Sequence, residues 1–277
     1  SSAYNTAIGS ESGKAITSGA SNTIVGYKAG VAITEGDKNV CLGYQTGDSI
    51  TTGDTNIAIG DQGTASYVTT GDSNVAIGSS ALSTCNSGDH NIGIGTGAGY
   101  GFTTGTHNIA MGYLTAYSSN TGHYNIFLGF QAGRGGSATG NSNVGVGVNA
   151  LQGGLTSGAD NTAIGPGTMN GVTSGANNTA VGKESGCTGS PGGQVTTGSN
   201  GIFLGDENIT EANIQVDWTV ASDKRDKTDV SPMDLGLEFI NQLEPVTYRW
   251  DKRSKYNKDQ SATPDGTHKE EQLEGGF

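Results

Sequence analysis

A five-residue phrase returns along this chain at a nearly fixed interval. Asn5-Thr6-Ala7-Ile8-Gly9 is its first copy, and others begin at Asn22, Asn39, Asn56, Asn74, Asn91, Asn108, Asn125, Asn143, Asn161 and Asn178. The interval is 17 or 18 residues throughout. A degenerate copy, Gly201-Ile202-Phe203-Leu204-Gly205, follows a short insertion and has Gly in place of Asn. A period of this length demands a stack of equivalent units, and it outranks any local propensity. Residues 1–206 are therefore read as one all-β repeat array of about twelve units.

Composition bounds what the array can be. Only 32% of the residues are hydrophobic, and 48 of the 277 are Gly. Such a balance would ordinarily indicate disorder, but stacked units can share a thin core. The net charge of −12 disfavours nucleic acid as a partner, because phosphate binding needs a basic face. No signal peptide and no apolar run long enough to cross a bilayer is present, so no membrane insertion is expected. The chain begins without Met, which reads as a fragment or a processed product. Cys41, Cys85 and Cys187 fit no metal or redox spacing, and Cys41 stands where other units have Ala, which implies a small buried residue.

Column by column, the phrase reads as a strand bounded by turns. Its second position is mostly Thr, Val or Ile, and its third is mostly small. The fourth is always apolar, from Ile8 and Val25 to Val181 and Leu204, and is read as the core column. β-Branched residues between Asn and Gly favour a strand. The invariant fifth Gly fits a positive φ or a close backbone approach. Several units continue as Tyr27-Lys28-Ala29-Gly30 does, then close on a turn such as Thr52-Gly53-Asp54-Thr55-Asn56. One unit is thus read as a strand, a Gly corner, a second short extended piece and a Gly/Asn turn, with no room for a helix of ordinary length.

The recurrent Asn is read as a stacked ladder whose amides satisfy the turns. His90, His107 and Tyr124 occupy one place in successive units, and a surface stack is the expectation. No metal or other cofactor is implied. The sequons Asn177-Asn178-Thr179 and Asn208-Ile209-Thr210 are short enough to be chance. One or two large apolar side chains per unit, at about 25 cal/mol per Å², barely offset ordering costs of about 1–2 kcal/mol per residue. Burial against identical chains would remove the deficit, so a homotrimer with repeat columns lining a shared interior is expected. These repeats resemble the β-roll heads of trimeric autotransporter adhesins and the shafts of phage tail fibres. That resemblance implies a trimeric β-roll or β-solenoid.

Past Gly205 the sequence changes character. Lys and Arg number 5 and Asp and Glu 13 over residues 1–216, against 9 and 13 over the much shorter 217–277. Residues 207–221 read as a linking strand. Ser231-Pro232 opens a helix whose apolar face carries Met233, Leu237 and Ile240. Pro245 ends it, and Val246 to Trp250 read as a strand.

The ordered set Ser222-Asp223-x-Arg225-x-Lys227, then Gly236-Leu237-x-Phe239-Ile240-x-x-Leu243-x-Pro245-Val246-x-Tyr248-x-Trp250, resembles the start of the endosialidase-type intramolecular chaperone. The resemblance implies a small α+β region over 222–277 that is the N-terminal part of that domain, the family continuing past the Gly-Phe at which this sequence stops. It implies a domain that templates trimerisation of a β-structured stalk and then cuts itself off. Ser222 and Lys227 correspond to its catalytic dyad, with Ala221-Ser222 the favoured bond. Position 226, usually apolar in the family, is Asp here. Chemically, a Ser hydroxyl needs a base, and Lys serves only when burial or nearby positive charge lowers its pKa. Lys224 and Arg225 supply such charge, opposed by Asp223 and Asp226.

The function expected is structural: a trimeric virion appendage, extracellular, meeting a host-surface glycan or protein receptor and other tail proteins of the virion. At most it is a single-turnover self-cleaving endopeptidase. A bacterial surface adhesin is the alternative, though residues 222–250 fit neither a coiled-coil stalk nor a membrane anchor. A glycan-cutting spike would need paired carboxylates in a cleft, whereas Asp54, Asp72 and Asp89 recur in the repeat turns.

Overall fold

The computed structural model describes residues 2–118, 121–135, 139–153, 156–212, 246–248 and 274–276. Two compact units divide the chain, Ser1–Asn208 and Ile209–Phe277. The first is a parallel β-solenoid with one strand per coil. Its strands are β1 (Thr6–Ile8), β2 (Thr23–Val25), β3 (Val40–Gly43), β4 (Ile57–Gly60), β5 (Val75–Ile77), β6 (Ile92–Ile94), β7 (Ile109–Met111), β8 (Ile126–Leu128), β9 (Val144–Val146), β10 (Thr162–Ile164), β11 (Thr179–Val181) and β12 (Ile202–Leu204). They pair in chain order in a single sheet. Register matches phrase to phrase: Ala58 faces Ala76 and Ile59 faces Ile77. No helix occurs among the described residues. In the second unit, β13 (Val246–Tyr248) pairs antiparallel with β14 (Glu274–Gly276). The helix expected after Ser231 falls outside the described residues.

The second extended piece expected in each unit does not form. After the strand the chain enters the left-handed region at alternate residues, as at Gly43, Gln45 and Gly47, with φ of 132°, 52° and 58°. Amides that alternate in this way point to opposite neighbours. Gln45 N–H donates back to Tyr27 O (2.9 Å) and Gly47 N–H donates forward to Thr64 O (3.0 Å). A turn therefore stacks on the turns of both adjoining coils, as a strand would, but with side chains on a tighter arc. The corner itself allows only glycine: a Cβ at Gly43 would lie 1.8 Å from Gly60 O.

The core column is the third position, not the fourth. Ile24, Cys41, Ala58, Ala76, Ala110, Phe127, Ala163 and Ala180 are buried, while Ile8, Met111, Ile164, Val181 and Leu204 of the fourth column are exposed. Strand side chains alternate between faces, so one position of the three must point inward. Size decides which. The coil interior is already filled from the opposite wall by Ile33, Ile50, Val68, Leu82, Phe102, Leu151, Met169, Val172 and Val195, all buried. Against that wall only a small residue fits in most coils. Each coil thus buries more than its strand alone provides, and the core is less thin than the phrase suggests.

Polar continuity comes from the Asn column. Asn22, Asn39, Asn56, Asn74, Asn91, Asn108, Asn125, Asn143, Asn161 and Asn178 are all buried. Every one donates Nδ2 to a turn glycine carbonyl and accepts at Oδ1 from a backbone amide of the next coil, and several also take the next asparagine's Nδ2. Asn91 Nδ2 donates to Gly105 O (2.7 Å), and Asn91 Oδ1 accepts from Asn108 N (3.0 Å) and Asn108 Nδ2 (3.1 Å). Asn5 begins the ladder, donating to Gly19 O and accepting from Asn22 N. The residue before each Asn is itself left-handed, including Thr55, His90 and Tyr124 near φ 60°. In the last coil Gly201 N–H donates to Asn178 Oδ1 (2.9 Å). A Cβ on Gly201 would meet the Phe203 ring at 2.4 Å, so the ring occupies the space a side chain would need there.

All three thiols are free and buried. Burial pushes the thiols of Cys41 and Cys85 up to about 12. At pH 8 both should be inert to a thiol-specific chromogenic reagent in the folded protein and titrate fully in guanidinium; rapid native labelling would contradict the buried placement. Asn91→Ala strips partners from Gly105 O and Asn108 N, and should cost about 2–4 kcal/mol in denaturant unfolding. Asn91→Asp keeps the acceptor but sets a carboxylate against Gly105 O. Its folded pKa is then raised, so the variant should be least stable at neutral pH and recover as pH falls and the acid can donate.

Candidate assembly face and processing segment

Because the third position faces inward, the second and fourth positions of every strand share the outer face of the sheet. The fourth column runs Ile8, Val25, Leu42, Ile59, Ile77, Ile94, Met111, Leu128, Val146, Ile164, Val181 and Leu204. Beside it runs the second column, Val, Ile or Thr throughout, with Thr only at Thr6, Thr23, Thr162 and Thr179. No charged residue interrupts either column. Most side chains in mid-sheet are half-buried by their neighbours above and below, Met111 being more open, whereas Ile8 and Ile202 at the two ends are 60% and 71% exposed. Soluble monomers scatter their exposed apolar residues; a continuous uncharged stripe marks an interaction surface. At about 4.8 Å per strand, this one runs roughly 50–55 Å.

Stacked rings flank the stripe in the chain. Just after the Gly corner, Tyr27 stacks on Tyr44 and Tyr113 on Phe130, each pair with ring centroids 5.5 Å apart. Just before the Asn, His90 stacks on His107 at 4.8 Å and His107 on Tyr124 at 5.1 Å. Among the described residues no group of three or more His, Cys, Asp or Glu converges as a metal site would.

Acidic side chains of the turns serve the backbone. Asp37 Oδ1 accepts from Ala20 N, Asp54 from Asp37 N, Asp72 from Asp54 N and Asp89 from Asp72 N, all at 2.7–2.8 Å. Each carboxylate thus holds the turn of the preceding coil, and their even spacing along a ladder is not the facing pair that glycoside cleavage requires. Asn177, the acceptor of the first sequon, is exposed in the turn before the buried ladder residue Asn178, its Nδ2 donating to Asn200 Oδ1 (2.8 Å).

Sequence reasoning placed the apolar column inside and so missed the outer stripe. The signal was present in the mostly small third position, which an interior crowded from the far wall demands. Ser222, Lys227 and the Ala221-Ser222 bond lie outside the described residues. No helix of the described residues is long and apolar enough to cross a membrane.

Comparison with known proteins bears on that tail. The family described as chaperone of endosialidase matches residues 222–270, a segment that starts at Ser222 and includes Lys227. No curated protein and no solved structure matched the chain.

Proposed function

We propose that this chain is a structural fibre of a phage virion, a trimeric solenoid shaft followed by an intramolecular chaperone that sets its register and then releases itself. The observation that carries the reading is the uncharged apolar stripe on the outer face of the sheet. Three copies related by a threefold axis bring three such stripes together along their whole length, and each removes the other two from water. Packed sheet faces gain about 25 cal/mol for every Å² of apolar surface so covered. A stack of near-identical coils has a weakness, however. A shift of one coil between chains preserves nearly every contact, so the stripe sets affinity but not register. A folded domain at the end of the stack supplies the register, and the match to residues 222–270 supports that role.

Self-cleavage follows from the same assignment. Ser222 Oγ attacks the carbonyl carbon of Ala221 while Lys227, as a neutral amine, takes the hydroxyl proton. The C–N bond breaks, and the proton passes to the new α-amine of Ser222. Water then hydrolyses the resulting ester, leaving Ala221 with a carboxylate and freeing the segment that begins at Ser222. The reaction happens once per chain. The shaft that remains is extracellular, joins other tail proteins, and presents its surface to a host receptor.

Two measurements test this reading. Light scattering on residues 1–212 should give three times the chain mass. Ile77→Lys combined with Ile94→Lys should reduce it to one chain with the β-type circular dichroism retained, since both side chains lie outside the coil interior. A monomeric parent sinks the shaft assembly. Separately, a chain extended to a complete chaperone domain should yield a fragment beginning at Ser222 by mass spectrometry, and Ser222→Ala and Lys227→Ala should each abolish it. A folded, trimeric parent that stays intact sinks the cleavage.

A further inference from the structure

Away from the strands, two shallow depressions of about 370 and 430 Å³ lie side by side and share Thr84. Their walls are two adjacent ladders in the turn region of four successive coils. One ladder runs Tyr67, Thr84, Gly101, Ser118, with Tyr100 and Tyr117 one residue before its last two members; the other carries Thr69, Asn86 and Thr103. Tyr100 stacks on Tyr117, with ring centroids 4.7 Å apart. The coil between those of Tyr67 and Tyr100 carries Ser83 and Thr84 in these two registers and so brings no ring to the groove, which is lined there by Thr84. Tyr67 lies one coil to one side of it and Tyr100 one coil to the other, so a gap of about two strand spacings, roughly 9.6 Å, opens between them. That gap accommodates a single six-membered ring.

From this arrangement we infer that the groove binds a neutral polysaccharide, with one sugar ring seated over Thr84 between Tyr67 and Tyr100. The chemistry of the lining selects this class. Tyrosine combines an apolar ring, suited to the C–H face of a pyranose, with a polar edge. The remaining lining is hydroxyl, amide and glycine, and no lining residue carries a charge. The chain's net charge of −12 opposes an acidic glycan, and no Lys or Arg lines the groove to offset that. Thr69 donates its proton to the backbone and side-chain oxygens of Asn86, and Thr84 donates to Tyr100 O, which leaves the hydroxyl oxygens as acceptors for sugar hydroxyls. Asn86 is exposed, and its side-chain amide supplies donors. The coil rise along the groove is close to the length of one sugar residue, so consecutive sugars would meet consecutive coils. None of the lining residues belongs to a strand, so the groove stays open when the sheet face is covered.

The inference deepens the appendage reading, from which it takes only the presence of glycan-bearing surfaces. Native electrophoresis of the full chain through gels containing dextran, amylose, mannan or laminarin tests it, with alginate as the acidic comparison. Retardation is expected in at least one neutral gel and not in alginate. Thr84→Tyr, which closes the gap, and Tyr100→Ala should each weaken it at least tenfold, while Tyr27→Ala should not. Migration unaltered in every neutral gel overturns the inference, as does retardation by alginate alone or retardation that survives Thr84→Tyr. Should Tyr100→Ala unfold, Thr84→Tyr decides, because it adds to the surface and leaves the coil interior untouched. Light scattering on the same samples separates the two readings. A retarded monomer sinks the trimeric shaft and leaves the groove; a trimer that is not retarded does the reverse.

Discussion

Every coil of this solenoid depends on hydrogen bonds to the coils on either side. With one three- or four-residue strand per coil, almost none of the backbone polar groups can be satisfied locally. Strand, turn and Asn ladder all bond coil to coil, the Asn column through buried amides that donate to one carbonyl and accept from the next coil. Buried polar groups left unpaired are costly, so the stack is cooperative by construction. The invariance of Asn and of the corner Gly follows from this. One supplies the only side chain that can bridge two coils at that spacing; the other is the only residue that fits beneath the carbonyl of the next corner.

The repeat, its period and the all-β solenoid architecture were legible in the sequence, because a strict 17–18-residue interval leaves few alternatives. What it concealed was which way the strand faces. Alternation says only that the third position opposes the second and fourth. The large residues of the fourth column invite an inward reading, yet Ile8, Met111 and Leu204 point to solvent while Ala58 and Ala76 are inside. The missing term lay elsewhere in the unit: Ile33, Ile50, Val68 and Phe102, in segments that look like loop, fill the interior from the far side. The second strand failed for a related reason. Extended backbone was expected of Lys28 and Gln45, which instead adopt left-handed φ. Single-residue propensity does not foresee that when stacking amides on both neighbours stabilises it.

Facing the strand outward also changes the part played by the chain's partners. If the large column were internal, trimer formation would have to complete a deficient core. With it external, the coil interior is complete in one chain and association covers a separate surface. Folding of a coil and the proposed pairing of chains are then distinct events, and the proposed register-setting domain would act on the second. The tail sequence from Ser222 to Trp250, so different in charge from the repeats, is consistent with that division of labour.

The last coil shows how such a stack ends. A solenoid of identical units has no intrinsic length, because its final edge offers the next chain the same template that each coil offers its successor. Here the ladder's final Asn, Asn178, is answered by Gly201, which donates one amide and has no side chain to extend the series. The Phe203 ring fills the space where an amide would sit. An incoming coil would find a hydrophobic plug where it needs an acceptor. The substitution of glycine for asparagine in the twelfth copy thus ends the buried amide ladder at Asn178.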